Sequence, residues 1–268
     1  MMKTDKLTTT ALHFIVALTP FALFGIIYMS MKYYPNYLFN EIHIKSVYDL
    51  EKSLFGIGTA AGVLTPNEYF NLNHCAFADI LSGIFYLLWV PLPIMYCIYL
   101  FFSGQRGLSF RFAAAFLFVN LIGFVGYYIY PASPPWYVIN YGFDVDFSTP
   151  GNVGGFARFD ELLGMNIFHS IYGRNANVFA AIPSLHSAYN PIACFYAYFL
   201  AKRNYGWMAI LTVVSCGIWW AAVYSCHHYI IDVVLGILCT VLGLCLYEGV
   251  IMRIPAVKRS YERLAGWL

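Results

Sequence analysis

Charge is what this chain has least of: 13 acidic and 15 basic side chains in 268 residues, 10% of the whole, against roughly a quarter in soluble domains. That deficit excludes an ordinary soluble globular domain. The net charge of +2 is small and dispersed, which excludes the basic footprint of a nucleic-acid binder. Cysteines number 7 with no C-x-x-C pair, so no dithiol motif is encoded. Cys97, Cys194, Cys216, Cys239 and Cys245 lie inside apolar runs as small hydrophobes, while Cys75 and Cys226 fall near span ends and leave one disulfide open. No A-x-A cleavage site follows the first apolar run, so Lys3 and Lys6 are read as preceding a retained span rather than a signal peptide. No repeat and no linker divide the sequence, and residues 1–268 read as one integral membrane domain.

Apolar length is what the chain has in abundance. Hydrophobic residues make up 60% and aromatics 19%, with a mean hydropathy of +0.64. Six runs, at about 11–31, 76–102, 108–130, 183–201, 206–225 and 229–251, approach the roughly 20 residues that cross a bilayer as a helix. The expected fold is therefore all-α, a polytopic membrane protein with six transmembrane helices. Pro91 and Pro93 are expected to kink the second.

Lysine and arginine placement sets the orientation. With the N-terminus inside, the inner segments hold Lys3, Lys6, Arg106, Arg111, Lys202, Arg203, Arg253, Lys258, Arg259 and Arg263. The longer outer segments hold only Lys32, Lys45, Lys52, Arg158 and Arg174, with most of the acids. Both termini are then cytoplasmic. Two outer loops, about 32–75 and 131–182, are too long for connectors and rich in aromatics. Interfacial helices are expected there, one from about Phe156 to Ile171.

Ionisable groups at membrane depth are costly and point to function. Pro183-Ser184-Leu185-His186-Ser187 opens the fourth span on the outer side, and His227-His228-Tyr229-Ile230-Ile231-Asp232 opens the sixth. His228 and Asp232 stand at i and i+4, on one helix face. A carboxylate there fixes one imidazole nitrogen and leaves the other a nucleophile. His186, at the same depth on another helix, suits a general acid and base. The helix N-terminus behind Pro183, an N1-like residue, offers N–H groups to an anion. Phosphoryl chemistry through a phosphohistidine fits these parts.

At this point the residues resemble a known family. PSLHS followed some 40 residues later by HHYIIDV is similar to the type 2 phosphatidic acid phosphatase superfamily. Tyr128–Tyr137, Thr149–Gly164, Val178–Ala188 and Ala221–Gly236, with a weaker stretch at Tyr48–Gly56, resemble more narrowly its inositol phosphorylceramide synthase branch, the aureobasidin A target of fungi. The resemblance implies that His228 is the nucleophile, Asp232 its partner and His186 the second histidine. It also implies lipid substrates, phosphatidylinositol and ceramide, with diacylglycerol released. Three cations of the superfamily's phosphatases are absent, because Gly123, Tyr130 and Ala222 stand in their places. A diester carries a single negative charge and needs less clamping, which favours head-group transfer over phosphate release.

Other residues divide between function and packing. A lone membrane histidine more often joins helices than catalyses, and only the joint occurrence with Asp232 lifts His186 and His228 above that reading. His227 points about 100° away from His228 and is read as a structural or substrate-edge contact. Arg158 and Arg174 are candidate phosphate ligands, Arg158 having Asp160 or Glu161 as an alternative partner. Ser184, Ser187 and Asp79 are candidate head-group contacts. No metal and no cofactor is expected, since His227 and His228 diverge and no H-E-x-x-H spacing occurs. The sequence says nothing of a partner subunit. A lipid phosphate or polyprenyl diphosphate phosphatase is the second reading, and a membrane transporter or scaffold the third. The site faces a periplasm or lumen, and the short tails favour a bacterial inner membrane.

Overall fold

The computed structural model describes residues 2–173 and 177–268 and is mostly helical. In chain order run α1 (Met2–Ser30), α2 (Lys45–Phe55), α3 (Pro66–Leu72), α4 (Ala76–Leu87), α5 (Pro91–Phe102), α6 (Arg106–Ile129) and α7 (Pro135–Tyr141). There follow α8 (Ala157–Leu163), α9 (Ile167–Tyr172), α10 (Leu185–Phe195), α11 (Tyr205–Tyr224), α12 (Ile230–Gly249) and α13 (Pro255–Trp267). A short antiparallel hairpin, β1 (Ile57–Thr59) and β2 (Gly62–Leu64), adds a little sheet to the helical fold. Gly62 turns it at a positive φ of 120°.

Among the described residues, four helical segments are long and apolar enough to cross a membrane: Thr8–Tyr33, Arg106–Ile129, Tyr205–Tyr224 and Ile230–Arg253. The run at 76–102 forms two helices, α4 and α5, bent by 44° at their break. Pro91 opens α5 at its first position, where a missing N–H is harmless. The run at 183–201 differs from a full span. Its α-helix has 11 residues, then widens into the 5-residue π turn Tyr196–Leu200. Pro191, inside α10, removes the donor that the Ser187 carbonyl would accept. Trp219 Nε1 of α11 supplies that hydrogen bond instead, at 3.0 Å.

α10 is enclosed by α6, α11 and α12, with Ser187, Ala188, Ile192 and Ala193 all buried. Small residues admit this close approach. Gly123 and Gly126 of α6 meet Leu185 and Pro183, and Gly236 of α12 meets the Ser184 carbonyl. At the other end of the bundle Arg111 pairs with Glu248, tying α6 to α12, and Tyr196 also donates to Glu248. α13 docks there, with the His13 and Trp267 rings 4.2 Å apart.

Both long loops are structured. The expected helix over 156–171 is two helices, because Gly164 adopts a left-handed φ of 62° and stops α8. Asp160 then caps α9, accepting from the backbone N–H of Ile167, Phe168 and His169 and from the His169 ring at 2.8 Å. Burial opposes that charge, but the donors outweigh it and hold the carboxyl below the usual aspartate value. Cys75 and Cys226 are free thiols, so the disulfide left open above does not form; Cys226 donates instead to the Asn67 carbonyl.

Candidate active site

The start of α10 and the start of α12 meet side by side. Ser184 occupies the cap of α10, one residue beyond Pro183, so the first helical residue is Leu185 rather than the proline. The Ser184 N–H donates to the Asp232 carbonyl at 2.9 Å, which locks the two helix starts in register. His186 follows on the first turn of α10. His228 sits just before α12 in a turn that Cys226 enters at a positive φ of 59°.

These helix starts bring His186, His228 and Asp232 into one chain of contacts. His186 Nδ1 lies 3.1 Å from His228 Nε2. His228 Nδ1 lies 3.3 Å from Asp232 Oδ2. The Asp232 oxygen is an acceptor, so the Nδ1–H of His228 donates to it and the Nε2 lone pair is left facing His186. Tyr172 of α9 closes the chain, its hydroxyl 3.5 Å from His186 Nε2. The side chains of His228 and Asp232 are 6% and 0% exposed, which shields their interaction from bulk water.

A cavity of about 420 Å³ runs from these histidines outward. His186, His227, His228 and Tyr172 line its deep end; Phe24, Tyr28 and Met29 of α1 line its mouth beside Lys32. Tyr28 and Met29 are 45% and 66% exposed.

The remaining candidates take different places. His227 lines the cavity, and its Nε2 is 3.1 Å from the Val153 carbonyl. Ser187 is buried and donates to the carbonyls of Ser184 and Val233, fastening α10 to α12. The Ser184 hydroxyl is buried without a partner. Asp79 and Arg158 bind each other, Arg158 Nε to Asp79 Oδ1 at 2.7 Å, with the Tyr224 hydroxyl donating to the same oxygen at 2.9 Å. Arg158 is thus paired with Asp79, not with its helix neighbours Asp160 and Glu161, and neither it nor Asp79 lines the cavity. Arg174 lies outside the described residues. Tyr172, Lys32, Asn67 and Glu51 escaped the sequence reading, as none lies within the two histidine motifs.

The three positions without a phosphatase cation are each packed against a neighbouring element. A side chain at Gly123 would overlap Leu185. Tyr130 stacks on His43, ring centroids 3.9 Å apart and 4° from parallel. Ala222 is fully buried, and its carbonyl accepts the N–H groups of both His227 and His228.

A family model described as the PAP2 superfamily matches residues 61–246, which includes both histidine motifs. The chain belongs to the PAP2 superfamily. Within that superfamily it is 54% identical over 248 residues to the phosphoinositol dihydroceramide synthase of Bacteroides thetaiotaomicron, covering 92% of this chain and 81% of that one. It is 30% identical over 213 residues to the catalytic subunit of inositol phosphorylceramide synthase of Saccharomyces cerevisiae, covering 78% of this chain and 50% of that one. The Candida albicans inositol phosphorylceramide synthase is 29% identical over 181 residues, covering 64% and 37%. The chain thus spans most of the bacterial relative and half or less of these two fungal ones. No solved structure matches it.

Proposed function

We propose that this PAP2 superfamily protein is a membrane phosphotransferase. It moves a phosphoinositol head group from phosphatidylinositol to a ceramide-type alcohol and releases diacylglycerol. The observation that carries the reading is the 54% identity to a phosphoinositol dihydroceramide synthase. The aligned histidines supply chemistry that suits it. His228 Nε2 attacks phosphorus as the bond to the diacylglycerol oxygen breaks, and protonated His186 gives its proton to that oxygen. The resulting phosphohistidine keeps its Nδ1–H on Asp232. The ceramide hydroxyl then passes its proton to His186 as its oxygen attacks phosphorus and the P–N bond breaks. His228 returns neutral and His186 protonated.

Tyr172 fits both halves of this cycle. A phenol oxygen accepts the His186 Nε2–H in both states, so the proton that His186 gives and takes is the one on Nδ1, the nitrogen facing His228. The filled positions at Gly123, Tyr130 and Ala222 favour a monoanionic diester over a phosphate monoester. The cavity mouth beside Tyr28 and Met29 suits a lipid that arrives sideways from the bilayer.

The same proposal includes six crossings with both ends cytoplasmic, α10 with its π turn making the fourth crossing and α4 with α5 the second. The lysine and arginine bias supports this orientation. The histidines then face the periplasm of a bacterial inner membrane. The whole chain acts as one domain, with α2, α3 and α7–α9 lying at the outer interface.

The deciding experiment gives the purified protein phosphatidylinositol labelled in its phosphate, with and without ceramide. Label should move to a ceramide product only when ceramide is present. Label released as free inositol phosphate or inorganic phosphate at the same rate without ceramide would identify water as the acceptor and overturn the transferase reading.

A further inference from the structure

Glu51 is a fully buried carboxylate on α2, an element outside both histidine motifs. It shares a face of that helix with Val47, one turn earlier, which packs with Ala132, Ile182 and Tyr229 in a small core beneath the outer loops. That core aims the face at the first turn of α12. There Glu51 Oε1 accepts the N–H of Ile230 at 2.9 Å, and Oε2 accepts the N–H of Ile231 at 3.1 Å.

The first turn of a helix has N–H groups with no partner inside the helix. An N-cap Ser, Thr, Asp or Asn ordinarily satisfies one. The N-cap of α12 is Tyr229, not one of those residues, and its buried hydroxyl has no hydrogen-bond partner among the described residues. Two carboxylates share the task instead. Asp232 reaches back to the Tyr229 N–H at 2.9 Å, and Glu51 takes the next two. Asp232 does this with Oδ2, the same oxygen that faces His228 Nδ1. The oxygen that orients the nucleophile is therefore also a helix cap, and its position depends on how the neighbouring N–H groups are satisfied. With Glu51 in place, the Ile230 and Ile231 N–H groups do not compete for Asp232. A second outer-loop residue grips the same turn: Asn67 of α3 donates to the carbonyls of Val223 and His228, both at 2.9 Å.

We propose that Glu51 is a positioning residue for the proposed reaction: by capping the Ile230 and Ile231 N–H groups it keeps the Asp232 carboxylate committed to His228. The inference rests on the assignment of His228 as nucleophile, and the test separates the two. Glu51 touches neither substrate nor the reacting nitrogen, so its loss acts on turnover rather than on lipid binding. Removing it frees two donors that draw Asp232 away from the imidazole.

The experiment measures kcat and KM for phosphatidylinositol in E51A, E51Q, D232N and the E51A/D232N double variant, with H228A as the reference for the site. E51A should lower kcat by about tenfold or more, leaving KM within about twofold. E51Q, which keeps one acceptor oxygen and the side-chain volume, should recover part of the loss and stands in should E51A fail to fold. Because Glu51 acts through Asp232, E51A should cost less than about threefold in the D232N background. A full multiplicative loss in the double variant would overturn the inference, as a general loosening of the fold adds independently of Asp232. Wild-type turnover in both E51A and E51Q would overturn it too. An inactive H228A beside unimpaired Glu51 variants sinks only this inference, whereas an active H228A sinks the site.

Discussion

His186 Nδ1 and His228 Nε2 stand 3.1 Å apart, although the two residues are 42 positions apart in sequence and sit at the starts of different helices. That spacing leaves a phosphorus bonded to His228 Nε2 beside a proton donor on His186. The two histidines therefore have unequal expected phenotypes. H228A removes the atom proposed to carry the phosphoryl group and should abolish head-group transfer. H186A and D232N remove proton transfer and orientation and should each retain a residue of activity, lower by about 10²–10⁴-fold. Labelled-head-group transfer in vesicles checks the order, and an H228A protein more active than H186A would contradict it.

Tyr172 contributes through one hydrogen bond at 3.5 Å to His186 Nε2. Tyr172→Phe keeps the ring that packs against His227, centroids 4.6 Å apart, and deletes the hydroxyl. A neutral hydrogen bond is worth about 0.5–1.5 kcal/mol, so kcat should fall by roughly two- to tenfold, with thermal stability close to wild type. Unchanged kcat across the accessible pH range would remove Tyr172 from the proton path.

Among the described residues lining the cavity, Lys32 is the one lysine or arginine. It is exposed just past the end of α1, its Nζ 4.8 Å from the Tyr33 ring. An exposed charge contributes about 0.2–1 kcal/mol. Lys32→Ala should therefore raise KM for phosphatidylinositol by up to about fivefold, and Lys32→Arg should restore it. The effect should shrink at high salt. A KM that ignores both the substitution and ionic strength would exclude Lys32 from head-group recognition.

Gly123 stands where the resemblance to the superfamily's phosphatases implies a cation, and it packs against Leu185. Gly123→Lys reinstates the residue type but drives a side chain into Leu185, the neighbour of His186. Overpacking of this kind costs about 1–3 kcal/mol. The variant should melt lower, lose transferase activity and gain no phosphate release from phosphatidic acid. A stable Gly123→Lys protein with phosphatase activity would show that the missing cation, rather than the helix contact, decides the reaction.

The motifs at His186 and at His228 with Asp232 were legible because their spacing is local: i, i+4 geometry and the starts of apolar runs are written in a few adjacent letters. Four crossing-length helices were legible for the same reason. The shortened α10 was less so, since the Ser187 carbonyl that Pro191 leaves without its helical donor is satisfied by Trp219, which belongs to another helix. The sequence offers Arg158 as a phosphate ligand or as a partner of Asp160 or Glu161, whereas the Asp79 it binds lies 79 positions away. Glu51 and Asn67 reach the His228 turn from 161 to 180 positions away, a relation that no periodicity encodes.

Asp160 carries the second long loop as a capping carboxylate. It is 2% exposed and accepts from three successive backbone N–H groups at the start of α9, the helix that presents Tyr172. Its carboxyl is held below the usual 3.8, burial opposing the charge and the His169 and Phe168 donors outweighing it. A carboxyl lowered on folding stabilises the native state at every pH above its unfolded value, and that contribution is lost as pH falls through the lowered value. Asp160→Asn keeps one acceptor oxygen and loses the charge, and should cost about 1–3 kcal/mol at neutral pH. Thermal melting from pH 6 down to pH 3 should then show the wild-type advantage shrinking as pH falls below the unfolded value and toward the lowered folded-state one. Head-group transfer should fall with it at neutral pH, because a frayed α9 withdraws Tyr172 from His186. An Asp160→Asn protein that melts with the wild type at neutral pH would show that α9 is held by its aromatic packing, Phe156 against Phe168 at 4.3 Å, rather than by its cap.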